Sequence, residues 1–224
     1  MPQTTLHDMF VDEMRDIYYA EQLLTKALPK MIKAADSPDL RQALEKHLGE
    51  TENQIERLEQ AFSIVNERAK AKKCDGMIGI LDEGNRALRE HEEGPVLDAA
   101  IIGAAQRVEH YEAAVYGTLV AWAQTMGHNE VARLFQETLE EEKNADKTLS
   151  NLAEGGINQA ANAGQDGSME EDEEEDSETR NGRAGRSRSA SAMGRSRSSG
   201  RSSDTRSRAA ASRSGTANRS RRSR

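Results

Sequence analysis

Residues 97–126, LDAAIIGAAQRVEHYEAAVYGTLVAWAQTM, constrain the fold of this chain more than any other stretch. At helical spacing they form an apolar stripe of Leu97, Ile101, Ala104, Val108, Glu112, Val115, Leu119, Trp122 and Met126. A second stripe, Ile102, Ala105, Glu109, Glu112, Tyr116 and Leu119, overlaps the first. A helix apolar over so wide an arc must be covered on most sides. Glu109 and Glu112 nevertheless stand in its middle. A buried, unpaired carboxylate is strongly disfavoured, so each needs a neutralising partner. Arg107, His110 and a subunit interface are candidates, and in a helical bundle so is a metal ion.

The same conflict recurs on three other predicted helices. Helix A, expected over 5–35 with Thr4 or Thr5 as cap, carries the stripe Phe10, Met14, Ile17, Glu21, Leu24, Leu28 and Met31. Pro29 should bend its last turns. Ser37 and Pro38 then form a cap and first-turn pair for helix B, expected over 38–72. Its stripe runs Leu40, Leu44, His47, Thr51, Gln54, Leu58, Phe62 and Val65, with Glu50 beside His47. A connector over 73–93 holds a short helix from about Met77 to His91, long enough to cross the end of a bundle. Helix C is expected over 96–126 with Gly127 as its cap. Helix D is expected over 129–154, closed by Gly155-Gly156, and shows Val131, Phe135, Thr138, Glu142, Ala145, Leu149 and Leu152. Asp146 borders that face, and the run EEEK at 140–143 leaves open whether Glu141 or Glu142 points inward.

At about 1.5 Å of rise per residue, antiparallel packing brings Glu21, Glu50, Glu109, Glu112 and Glu142 to a common level. Carboxylates and histidines converging in a four-helix bundle are the pattern of di-iron and di-manganese proteins. The expected ligand set is therefore Glu21, His47, Glu50, Glu109, Glu112, Glu142 and Asp146, around two divalent ions of iron or manganese. The pattern departs from the usual Glu-x-x-His pairs. Helix B reads His47-x-x-Glu50 in reverse order, with Asn53 at the forward histidine spacing. Helix D has Ala145 three residues after Glu142, where a second histidine would fall. This argues for metal binding more strongly than for redox catalysis. His47 also has an ordinary reading as a hydrogen-bonded core histidine. Tyr19, Tyr111 and Tyr116 read as packing residues rather than redox relays, with the further option that a tyrosine near a metal hydrogen-bonds a carboxylate, and His7, His91 and His128 read as surface residues. Cys74, the one cysteine, excludes an internal disulfide and sits beside Lys72 and Lys73, which could lower its pKa, although a lone loop cysteine is usually inert.

Four segments carry a resemblance to a known family: RDIYYAEQLLTKAL (15–28), HLGETENQIERLEQ (47–60), AAQRVEHYEAAVYGTL (104–119) and ETLEEEKNADKTLSNLA (137–153). They resemble, collinearly over about residues 4–160, the YciE/YciF family of bacterial ferritin-like proteins. The resemblance implies an all-α, ferritin-like four-helix bundle, a homodimer, a stress-associated role and a dinuclear metal site. It does not supply a reaction.

The rest of the chain differs in kind. Residues 1–160 read as the bundle, 161–179 as an acidic linker containing MEEDEEEDSE, and 180–224 as an Arg/Ser tail. From Arg180 onward there are 14 arginines and one acid, Asp204, a net +13; with -8 for the whole chain, the preceding 179 residues carry -21. Such a tail cannot bury enough apolar surface to fold and is expected to be disordered. Its arginines, among them Arg186, Arg188, Arg195, Arg197, Arg201, Arg206, Arg208, Arg219, Arg221, Arg222 and Arg224, are expected to contact nucleic-acid phosphates without reading sequence. The tail has no aromatic residue for base stacking. Folding back onto the acidic body is the other role open to it. No signal region or membrane span is evident, so a cytoplasmic location is expected. Two functions follow: a metal-binding stress protein that sequesters iron or reacts with peroxide, or a non-catalytic bundle tethered by its tail to nucleic acid or an acidic partner.

Overall fold

The computed structural model describes residues 4–163, and all regular structure in them is helical. Helix α1 spans Leu6–Ala34 and begins at a capping box. The Thr5 hydroxyl accepts from the Asp8 amide at 3.0 Å, and Asp8 accepts from the Thr5 amide at 3.1 Å. Pro29 sits inside α1, which continues through it to Ala34. Helix α2 spans Pro38–Ile64, with Ser37 as cap. Its end lies well short of Lys72, the expected limit. Asn66 takes the left-handed conformation, the Glu67 amide reaches back to the Phe62 carbonyl and the Asn66 amide to that of Ser63. These bonds form a Schellman stop. The following segment then lies along α1: the Lys72 amide donates to the Arg15 carbonyl at 2.9 Å, and Arg15 pairs with Glu67 at 3.0 Å.

Helix α3 (Asp75–Glu90) packs on α4 (Pro95–Thr125) and on α1. Gly127, in the left-handed region at φ 78°, ends α4 through the same Schellman pattern, with the His128 amide on the Ala123 carbonyl. Helix α5 spans Asn129–Leu152. It does not stop at Gly155-Gly156. A π-helical turn, Ala153–Ile157, carries the chain on, and residues 158–163 are helical again. Gly156, at φ 148°, takes up the kink, and Ile157 packs against the core. Ala161 to Ala163, expected in the linker, thus continue the helix. The remainder of the acidic linker and the whole Arg/Ser tail lie outside the described residues.

Short connections make α1–α2 and α4–α5 hairpins, and the long crossover leaves α2 and α4 parallel. Helices α2 and α5 pack together, as do α1 and α4, closing a ferritin-like four-helix bundle. Its core runs from Phe10, Phe135 and Tyr116, with ring centroids about 6 Å apart, to Leu40, Leu44 and Ile101. Asp98 ties the far end. Its carboxylate is buried on α4 and accepts from the Asp36 and Ser37 amides, each at 2.8 Å, at the α1–α2 corner. Asp98→Asn keeps one acceptor and turns an amide group toward the second N–H. We expect a loss of about 2 kcal/mol in chemical denaturation.

Candidate metal centre

The inward stripes meet at mid-bundle. Glu21, Glu112 and Glu142 are fully buried, and Glu109 and His47 nearly so. His47, Glu109, Glu112 and Glu142 each place a potential ligand atom within 4.8 Å of the others. His47 Nε2 lies 3.4 Å from Glu109 Oε1, and its Nδ1 lies 3.9 Å from Glu50 Oε2. Glu21 enters from α1, where one of its oxygens accepts from the Tyr116 hydroxyl.

The neighbours settle what the helical period left open. Arg57 forks onto Glu141, with its two terminal nitrogens on separate oxygens, and so holds Glu141 at the outer edge. Glu142 therefore faces inward, where the Gln54 side-chain amide donates to it and also, at 3.1 Å, to Glu141. Neither Arg107 nor His110 neutralises the α4 glutamates. Arg107 donates to the Gly103 carbonyl and faces Glu83, while His110 Nε2 lies 3.2 Å from Asp146. Asp146 also accepts from Gln106 at 3.1 Å, so it belongs to a half-buried surface network rather than to the inner cluster. Glu50 stands at the rim, paired with Lys46 and near His47. Burial raises its pKa, but the nearby His47 imidazole and the paired Lys46 ammonium outweigh burial and hold it below the usual carboxylate value.

The inner acids behave oppositely. Burial drives Glu21, Glu109 and Glu112 well above the usual carboxylate value. The charge of Glu142 adds to this at all three, and that of Glu21 at Glu109 and Glu112. Tyr116 is raised as well, by burial and by Glu21. Many inner atoms have no hydrogen-bond partner: Glu21 Oε2, both His47 nitrogens, Glu109 Oε2, both oxygens of Glu112 and Glu142 Oε2. Native interiors rarely leave buried polar atoms unsatisfied, and several converging on one point call for a common partner. One imidazole among carboxylates suits iron or manganese better than a thiol-seeking ion, so these residues fit such a metal.

Cys74 takes no part. It is buried, caps α3 by accepting from the Met77 amide at 3.3 Å, and lies 3.1 Å from the Tyr111 hydroxyl. The expected lowering of its pKa is reversed. Burial, with Asp16 nearby, pushes the thiol up, while Lys72 and Lys73 are drawn away to Asp12 and Asp75.

Residues 5–162 match the family model described as a domain of unknown function, DUF892. The chain belongs to this family. It is 44% identical to Protein YciF of Escherichia coli strain K12 over 162 residues, which is 72% of this chain and 98% of that protein. The crystal structure of that E. coli stress protein superposes with a TM-score of 0.67 at 43% identity, covering 70% of this chain and 99% of the other. YcfI of Rhodopseudomonas palustris superposes at 0.64 with 46% identity, covering 66% and 94%. A Xanthomonas campestris protein at 22% identity and 0.59 shares the fold, covering 72% and 99%. The chain is thus a homologue of the stress protein YciF. Among the described residues no helix is long and apolar enough to cross a membrane.

Arg57, as the partner of Glu141, and Asp98, at the corner, had no signal in the sequence. Gln54 stood on the helix B stripe as a group capable of coordination and Tyr116 as a tyrosine able to bond a carboxylate; they hold Glu142 and Glu21.

Proposed function

We propose that this protein binds divalent iron or manganese at the centre of its bundle, in a stress-related role like that named for E. coli YciF. The observation that carries this reading is the set of unpartnered, buried oxygens and imidazole nitrogens on Glu21, His47, Glu109, Glu112 and Glu142. Glu50 extends the set at the rim. A pair of such ions would supply one-electron chemistry toward dioxygen or peroxide, or would be held as sequestered iron. The chain's own contribution is to orient the ligands. The Tyr116 hydroxyl holds one oxygen of Glu21, and Gln54, braced through Glu141 and Arg57, holds one of Glu142. Each leaves the second oxygen without a hydrogen-bond partner, free to bind an ion.

Elemental analysis of protein purified without chelators tests the reading. About two iron or manganese atoms per chain are expected, and Glu109→Ala with Glu112→Ala should abolish the signal. No metal after anaerobic Fe(II) addition would make the glutamates structural and leave the tail as the working part.

The tail adds a second function under this proposal: contact with nucleic-acid phosphates. A body carrying -21 repels nucleic acid, and the +13 over residues 180–224 is where attraction can arise. Binding to mixed-sequence duplex is expected to weaken by a hundredfold or more between about 50 and 200 mM salt. A chain stopped after Ala163 is expected to lose it. Gel shifts across a salt series check both, and unchanged binding by the truncated chain would sink the idea.

A further inference from the structure

A narrow crevice between α2 and α5 ends on the buried cluster. Ala43 and Leu44 form one wall, Ala145, Thr148 and Leu149 the other. Lys46 and Glu50, the more exposed pair, stand at its rim, and the buried His47 and Glu109 form its floor. The floor carries atoms without hydrogen-bond partners: both His47 nitrogens and Glu109 Oε2. The cavity within measures about 30 Å³, room for one or two molecules the size of water.

We propose that this crevice is the port by which a small uncharged molecule, of the dioxygen or hydrogen peroxide class, reaches the His47–Glu109 side of the centre, and that Ala145 keeps it open. Size sets the first limit on the occupant. Charge sets the second. The walls are mostly alanine and leucine, which disfavour an ion that must shed its hydration. The inner carboxylates repel anions, and Lys46 and Glu50 neutralise each other at the rim. Ala145 lies one helical turn beyond Glu142 and lines the opening, so any longer side chain there would project into the passage. The missing second histidine thus becomes a vacancy with a use. The inference rests on the metal reading above.

Nitric oxide, an uncharged diatomic, is the probe. The full chain is loaded anaerobically with Fe(II), its iron content is measured, and uptake of nitric oxide is followed by stopped-flow absorbance. Ala145→Leu and Ala43→Leu fill the crevice from opposite walls. Both are expected to retain iron and to slow uptake by about tenfold or more. If either variant loses its iron, the other still decides the matter. Full iron with wild-type uptake in a filled crevice would overturn the port and leave the metal reading standing. Loss of iron from both variants would also overturn it, because the walls would then serve to hold His47 and Glu109 in place rather than to bound a passage. A wild-type chain that takes up no iron would defeat the metal reading, and the port with it.

Discussion

Glu112→Leu is expected to stabilise the metal-free protein by about 1–4 kcal/mol and to abolish metal binding. Glu112 is fully buried, neither of its oxygens has a hydrogen-bond partner, and Glu21 and Glu142 press on it with like charge. A leucine of similar volume, flanked on the same helix face by Val108 and Val115, removes that conflict. For a domain of this size each kcal/mol corresponds to roughly 2–4 °C in Tm. Thermal melts in the presence of EDTA give the first number, and elemental analysis gives the second. A residue kept for structure behaves in the opposite way. If Glu112→Leu lowers the melting temperature of the metal-free chain, the carboxylate is a structural element and the site reading fails.

The second large effect is an inversion of the pH dependence by metal. In the metal-free protein Glu21, Glu109 and Glu112 bind protons more tightly than in the unfolded chain, because burial comes first and carboxylate repulsion adds to it. Their contribution to stability is complete below the ordinary carboxylate value of 4.5 and is lost as pH rises through their elevated values. Each group losing its proton costs up to about 1.4 kcal/mol per pH unit over that interval. A divalent ion replaces the protons, so its binding releases them and strengthens as pH rises. At a thousandfold excess over Kd the ion adds about 4 kcal/mol. Denaturation at a series of pH values, with EDTA and with Mn(II), is expected to give a falling curve and a rising one. Parallel curves would mean that the ion does not engage these carboxylates.

The helical core and its acids were legible because they depend on a local period. Phe10, Met14, Ile17, Glu21 and Leu24 recur on one face of α1, and all five are buried. Glu109 and Glu112 fall on the buried face of α4 for the same reason. The period is coarser than one residue, however. It placed Glu50 and Asp146 level with the inner acids, whereas the bundle sets Glu50 at the rim between Lys46 and His47 and turns Asp146 to Gln106 and His110. It left Glu141 and Glu142 undecided until Arg57, 84 residues away, claimed Glu141. Helix ends were misjudged where tertiary contacts set them. Nothing between residues 65 and 72 forbids helix except Asn66, and the chain leaves α2 there to bond its backbone to α1.

The sequence by itself determined that four long helices would bury glutamates in their apolar stripes, that a long connector would join the second to the next long helix, and that an acidic body would precede an arginine tail. These are properties of spacing, chain length and charge, which need no partner to be expressed. Only the tertiary structure decided which acids converge, which are drawn off by Arg57, Lys46 and His110, and that Ala145 borders an opening onto His47 and Glu109. Those outcomes depend on atoms brought together from helices far apart in the chain. A carboxylate's charge state and ligands follow from its neighbours in space, which the helical period alone does not specify.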